Sequence, residues 1–414
     1  MNDLTLQSDL LTLLFHQEYT KMTATICRHF SIRSIEIAED IVSDTFLKAS
    51  EYWAISGVPD NPTAWLYTVA INKSKDYIKR LLIFEKLIVD KNQQEDQVID
   101  SILELDGQLL ENSELQMIFA ICDSVNSQEN QITLALQVIC GFSVEEIANA
   151  FFSKTETIKK RLFRAKNTLR NSHFKIKPLT EGEITSRIDC VLKTLYILFN
   201  EGYYSKTSDQ LIRKKLCSEA IRLVLALVDN ISTSTKNARA LLALMCFQSS
   251  RLDARTDNYG EIILFEDQDR NLWDLSLIER GQYYLASACT GNEVSTYHIE
   301  AAISYWHSTS TGTLKWEPIL RLYDQLVLLK YSSVIALNRI FALSKVYGND
   351  KAIREVEKLS FLENSYYHLL LGYLYTESHV SLAVKHYRKA IALTKSKRER
   401  STLNKLINHI ALDS

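Results

Sequence analysis

Only four prolines and eleven glycines interrupt 414 residues, and this scarcity of chain breakers constrains the fold more than any other feature. Apolar residues recur at three- and four-residue spacing between the few breaks, and Leu, Ala, Lys and Glu are abundant. That pattern predicts an all-α chain. A chain of this length exceeds one ordinary core, so two or three domains are expected. Hydrophobic residues make up 46% and charged residues 24%, the balance of a soluble globular protein, and no apolar run is long enough to span a membrane. The opening MNDLTLQSDLL lacks the basic flank and apolar stretch of a secretory signal, so a cytoplasmic location is expected. Cysteines 27, 122, 140, 190, 217, 246 and 289 are scattered, with no CxxC pair. They read as reduced thiols; neither a metal nor another cofactor is expected.

The net charge of −2 argues on its face against a nucleic-acid partner. The average conceals a separation of sign. Segments 71–86 and 154–177 are basic, whereas 90–114 carries Asp90, Glu95, Asp96, Asp100, Glu104, Asp106, Glu111 and Glu114 against Lys91 alone. Different parts of the chain are therefore expected to meet different partners. The acidic stretch reads as a linker, poor in aromatics and at best partly ordered.

Residues 143–170, SVEEIANAFFSKTETIKKRLFRAKNTLR, are the most informative. Ser143 with Glu146, and Ser153 with Glu156, have capping-box spacing, so two helix starts lie about ten residues apart across a short turn. That is a helix-turn-helix. Ile158, Leu162, Ala165 and Leu169 fall on one side of the second helix and face Ile147 and Phe151 of the first. The other side offers Thr155, Glu156, Thr157, Lys159, Lys160, Arg161, Arg164, Lys166 and Asn167. A basic helix of this kind suits the major groove, its first residues meeting base edges and its cations meeting phosphates. A solvated helix of a bundle with an incidental basic face is the plainer alternative.

Upstream, IEIAEDIVSDTFLKASEYW over 35–53 buries Ala38, Ile41, Val42, Thr45 and Ala49 and leaves Asp40, Ser43, Asp44 and Lys48 outward, beside Phe46 and Leu47. The turn Gly57-Val58-Pro59-Asp60-Asn61-Pro62 ends this helix; Asn61 caps the next and Pro62 takes its first position. NPTAWLYTVAINKSKDYIKR then carries Trp65, Val69 and Ile78 inward and ends in Lys73, Lys75, Lys79 and Arg80. AEDIVSDTFLKA resembles the polymerase-binding helix of the extracytoplasmic-function (ECF) sigma-70 factors, and NPTAWLYTVAINKSKDYIKR resembles the promoter −10 helix that follows it. Residues 115–170 are similar to the family's region four, which reads the −35 element. All three occur in the family's order, with the acidic linker between the second and third.

The likeness continues through Cys122, Asn200-Glu201-Gly202-Tyr203, Ala254-Arg255-Thr256-Asp257, Glu266-Asp267-Gln268-Asp269-Arg270 and Trp273-Asp274. These look like a subgroup with a tetratricopeptide-like C-terminal domain. The resemblance implies region two over 8–85, an acidic linker over 86–112, region four over 113–175 and the helical extension over 180–414. It implies a non-enzymatic factor whose partners are RNA polymerase core, through the largest-subunit clamp helices and the flap, and promoter DNA. Asp40, Ile41, Asp44, Phe46, Leu47 and Lys48 are the expected polymerase contacts. Asn61, Asn72, Lys73, Lys75, Asp76, Lys79 and Arg80 are the expected −10 contacts, with a base pocket near 56–65 and Trp65 reading as core. In one departure, the family commonly carries Arg where this chain has Ile71, and its basic helix is richer in Arg. Lys replaces Arg as a phosphate contact but not as a bidentate base reader, so no promoter sequence carries over. The linker's carboxylates are expected either to lie in the polymerase's positive channel or to form a solvated tether.

YYHLLLGYLYTESHVSLAVKHYRKAIAL, 366–393, resembles a tetratricopeptide unit through Leu371, Gly372 and Tyr375, then Ala383, Tyr387 and Ala390. A peptide or protein partner, or a purely supporting role, follows for the extension. The acidic and basic residues of 251–274 read as a loop pinned by ion pairs, and His298 and His307 as packed imidazoles. Two rivals remain: a polymerase-independent helix-turn-helix regulator with a helical sensor domain, and an enzyme built on the acidic loop, for which a catalytic constellation is missing.

Overall fold

The computed structural model describes residues 2–29, 35–86, 115–151, 153–172, 180–203, 210–256, 265–310, 312–359, 361–362, 364–394 and 397–412, with Ile176 and Ile263. The acidic stretch 90–114 and the carboxylates Asp257 and Glu261 lie outside them. The described residues are helical, with no strand among them, and the chain forms two compact units, 1–201 and 202–414. No described helix is long and apolar enough to cross a membrane.

The first unit opens with α1 (Asn2–His29), α2 (Ile35–Ser56) and α3 (Pro62–Lys86). Met22, Ile26, Val42, Phe46, Trp53, Leu66 and Ala70 fill their shared interior. Thr23, Thr45 and Ser74 are buried there too, because each hydroxyl donates to the carbonyl four residues back: Tyr19, Ile41 and Ala70. Between α2 and α3, Gly57 takes φ +79, a conformation that L side chains avoid. The Asn61 side chain then accepts the Ala64 N–H at 3.0 Å, as expected of a cap before Pro62.

The rest of this unit comprises helical residues 115–121, α4 (Gln128–Leu134), a π-helical turn (Ala135–Ile139), α5 (Val144–Ala150), α6 (Thr155–Asn171) and α7 (Glu181–Tyr203), whose last two residues belong to the second unit. Gln131 ties three of these pieces together. Its amide donates to the Asp123 and Asn126 carbonyls at 2.9 and 2.8 Å, and its oxygen accepts from Thr194 and Cys190 of α7 at 3.1 and 3.2 Å. Arg187 of α7 adds an ion pair with Asp123 at 3.0 Å. The π turn, which no residue pattern signals, directs the Ile139 carbonyl toward α1, where the Thr20 hydroxyl donates to it.

The second unit continues with α8 (Gln210–Asp229), α9 (Lys236–Ser249), α10 (Leu275–Ala288), α11 (Thr296–Thr309), α12 (Trp316–Leu329), α13 (Ser333–Tyr347), α14 (Asn349–Glu357), α15 (Ser365–Tyr375), α16 (Val380–Leu393) and α17 (Lys397–Leu412). Successive helices pack as hairpins. In the α15–α16 pair, Gly372 lies against the Tyr387 ring, and a Cβ at that position would stand 2.7 Å from it. Tyr387, Ala383 and Ala390 are buried beside it. Gly372→Ala is expected to cost about 1–3 kcal/mol, the range for overpacking a filled core, read as a lower urea midpoint; an unchanged midpoint would mean the ring moves aside freely.

Among the described residues of the 251–274 interval, ion pairing is joined by contacts to aromatic rings. Asp253 meets Lys214 at 2.6 Å and Glu266 meets Lys345 at 2.9 Å, but Arg251 and Arg270 lie over aromatic rings. Aromatic faces attract a guanidinium without neutralising it. His298 is a packed imidazole, its Nδ1 bound to the Ser295 backbone N–H at 3.2 Å and its Nε2 within 3.2 Å of the Ala288 carbonyl. His307 is packed as well, against the Phe265 and Trp316 rings at 4.9 and 5.5 Å, but its buried Nδ1 has no partner among the described residues.

Candidate nucleic-acid and polymerase interfaces

The segment expected to be a helix-turn-helix forms α5 and α6, separated by a short turn. Ser143 and Glu146 close the first capping box, with Glu146 accepting the Ser143 N–H at 2.8 Å and Ser143 Oγ accepting the Glu146 N–H at 3.1 Å. The second box does not form. Lys154 occupies the cap without a side-chain bond, and the Ser153 hydroxyl donates to the Phe151 carbonyl instead. The cause is one residue of turn length: α6 begins at Thr155, which leaves Ser153 outside the capping position. Ile158, Leu162, Ala165 and Leu169 are buried on the inner side of α6, and Asn126 donates to the Ala165 carbonyl at 3.2 Å.

On the outer side Glu156, Thr157, Lys159, Lys160 and Arg164 are exposed. Lys159 pairs with Glu156 at 3.2 Å, and Arg161, half-buried, pairs with Glu129 at 3.3 Å. Thr155 and Asn167 are half-buried. Phe163 stands 66% exposed in the same helix, a solvent-facing aromatic that the periodicity did not single out.

Lys166 lies elsewhere. Its ammonium donates to Glu39 of α2, with the two side chains only 10% and 11% exposed. One turn on, Arg170 pairs with Glu36 at 2.9 Å. The C-terminal half of α6 is thus clasped to the first turns of α2, while its N-terminal half faces solvent. Burial holds the Glu39 carboxyl above the usual carboxylate range despite Lys166 beside it. Lys166 is not open to DNA in this arrangement. Glu36, Glu39 and Arg170 escaped sequence reading, because partners 127 and 134 residues apart leave no local signal.

On α2, Asp40, Asp44, Leu47 and Lys48 are exposed, but Ile41 and Phe46 are not available as contacts. Both are buried, and the Phe46 ring packs edge-on to Phe15 at 5.0 Å. Asn61, before α3, and Asn72, Asp76, Lys79 and Arg80 on it are exposed, and Lys75 is half-buried. Lys73 pairs with Asp44 across the helices at 3.4 Å, so one residue of each expected surface neutralises the other. Ile71 is a buried core residue. Trp65 is only half-buried: its ring stacks on the exposed Tyr52 at 5.6 Å and meets Trp53 edge-on at 5.5 Å, leaving a two-ring aromatic patch beside the 57–62 turn. Tyr52 was not anticipated as part of it.

Comparison with known proteins finds two family matches and several relatives. Residues 15–81 match the model of sigma-70 region 2, and residues 187–289 match a family of unknown function (DUF6596). The chain is 30% identical over 398 residues to the uncharacterized protein R00370 of Rhizobium meliloti (strain 1021), covering 94% of this chain and 93% of that one. It is 25% identical over 147 residues to the ECF RNA polymerase sigma-E factors of Salmonella typhimurium (strain LT2) and Escherichia coli (strain K12), covering 34% of this chain and 74% of each. No solved structure matches. With region two matched at its N-terminus and sigma-E factors among its relatives, the chain belongs to the ECF branch of the sigma-70 family and carries a further, unnamed family domain behind the sigma portion.

Proposed function

We propose that this chain brings RNA polymerase core to specific promoters by dividing the work among three helical surfaces. The observation that carries this reading is the outward placement, in one compact unit, of two cationic helix surfaces and one acidic-apolar strip. Lys160 and Arg164 of α6 serve the −35 element, with Glu156 and Thr157 at the base edges. Lys75, Lys79 and Arg80 of α3 follow the −10 strand, and the Tyr52–Trp65 rings offer an unstacked base a face to lie on. Asp40, Asp44 and Leu47, the last 58% exposed, suit a basic, partly apolar partner such as the clamp helices. No covalent step is involved.

The C-terminal unit is assigned a supporting or regulatory role, its helical hairpins forming a tetratricopeptide-like platform for a peptide or protein partner. A polymerase-independent regulator would use α5 and α6 but leave the α2 strip without a purpose. Pull-down with purified core polymerase, followed by runoff transcription from genomic fragments, tests the reading. Association and a defined start site are expected; a protein that binds DNA yet ignores core polymerase would overturn it.

A further inference from the structure

The second unit gathers positive charge around aromatic rings in a way that the sigma assignment does not use. The Phe265 ring is the hub. Arg251 Cζ lies 4.8 Å and Lys315 Nζ 5.1 Å from its centroid, the His307 ring 4.9 Å and the Trp273 ring 5.9 Å. Arg270 Cζ lies 4.7 Å from the Trp273 ring. The residues come from four places in the chain: the end of α9, the 265–273 turns, α11, and the residue before α12.

Among the described residues their charges are not balanced. Glu266 is engaged by Lys345. Arg251 donates to the Tyr203 hydroxyl at 2.7 Å and Gln268 Oε1 at 3.3 Å, and Arg270 to the Ser310 carbonyl at 3.2 Å, all uncharged acceptors. Lys315 is 7% exposed and has neither a hydrogen bond nor an ion pair among the described residues. Burying an ammonium beside two guanidinium groups is costly unless an anion joins them.

Unsatisfied buried polar atoms lie in the same cluster. Trp273, 6% exposed, has a buried indole N–H with no acceptor among the described residues, and His307 Nδ1 is likewise buried and unpartnered there. An indole N–H can only donate, and native proteins leave few such groups unpaired without a reason. We infer that the C-terminal unit binds a small phosphate-type oxyanion, held by Arg251, Arg270 and Lys315 at the Phe265–Trp273–His307 cluster. A phosphate group offers more acceptor oxygens than a carboxylate and a second charge, which suits three cations with a buried indole donor beside them. His307 stays neutral there, because burial first, then Arg251, Lys315 and Arg270, push its pKa down to about 3.

The inference is independent of promoter recognition, so its test needs no polymerase. Full-length protein is titrated calorimetrically with inorganic phosphate and, separately, with glycerol phosphate, against sodium chloride at matched ionic strength. Saturable binding of either phosphate is expected, and the tighter of the two assigns the occupant to the free ion or to an organic phosphate. Arg270→Gln, at an exposed residue, should raise Kd about tenfold, the loss expected for one charge-assisted hydrogen bond, with Lys315→Gln acting in the same direction. No saturable response beyond the chloride control, or binding by both variants as tight as the parent's, would overturn the site.

Discussion

Lys160→Glu combined with Arg164→Glu is expected to weaken promoter binding by the polymerase complex about a hundredfold at fixed salt, each lost charged contact contributing about 1.5 kcal/mol. Both side chains are exposed on the outer side of α6, and among the described residues neither has a side-chain hydrogen bond or ion pair that folding would miss. Association with core polymerase should stay unchanged, since the α2 strip is separate. Fluorescence anisotropy on labelled promoter, at several salt concentrations, reads the first effect and the slope of log affinity against log salt should fall by about two. A pull-down reads the second. Undiminished promoter affinity would remove α6 from the DNA interface, and joint loss of both activities with altered circular dichroism would trace the effect to misfolding.

Helix positions were legible in this sequence because they depend on neighbours. The 3.6-residue apolar rhythm places Ile158, Leu162, Ala165 and Leu169 on one buried side, and the Asn61-Pro62 and Ser143/Glu146 signals place two helix starts. The second cap was misread by one turn residue, since Ser153 and Lys154 compete for the same position and spacing alone does not decide between them. Interior and exterior were harder near the boundary of a helical stripe: periodicity already put Ile41 inward although it was also expected as a contact, whereas Phe46, beside the exposed Leu47, is buried by its packing on Phe15 of α1. Long-range pairs were beyond reach. The Lys166–Glu39 clasp and the Phe265-centred cluster join residues that only the completed packing brings together, and neither leaves a periodic trace.

That clasp supplies the second large expected effect. Glu39→Ala removes the carboxylate that neutralises Lys166 while leaving the ammonium buried, and breaking one side of a buried pair costs about 3 kcal/mol or more. Glu39 Oε1 already lacks a partner, so the pair holds the two helices together without being ideal. The closed arrangement of α6 on α2 should therefore lose about a hundredfold in favour of an open one, with Glu36–Arg170 too exposed to compensate. Hydrogen exchange should accelerate in the C-terminal half of α6 and the first turns of α2 together, and the doubly swapped Glu39→Lys, Lys166→Glu chain should recover part of the protection. Opening also frees Lys166 and Arg170 for phosphates, so promoter affinity should rise in Glu39→Ala, opposite to the loss in the Lys160/Arg164 variant. Unchanged exchange in both segments would mean that apolar packing and the Thr20–Ile139 bond, not the ion pair, keep this unit closed.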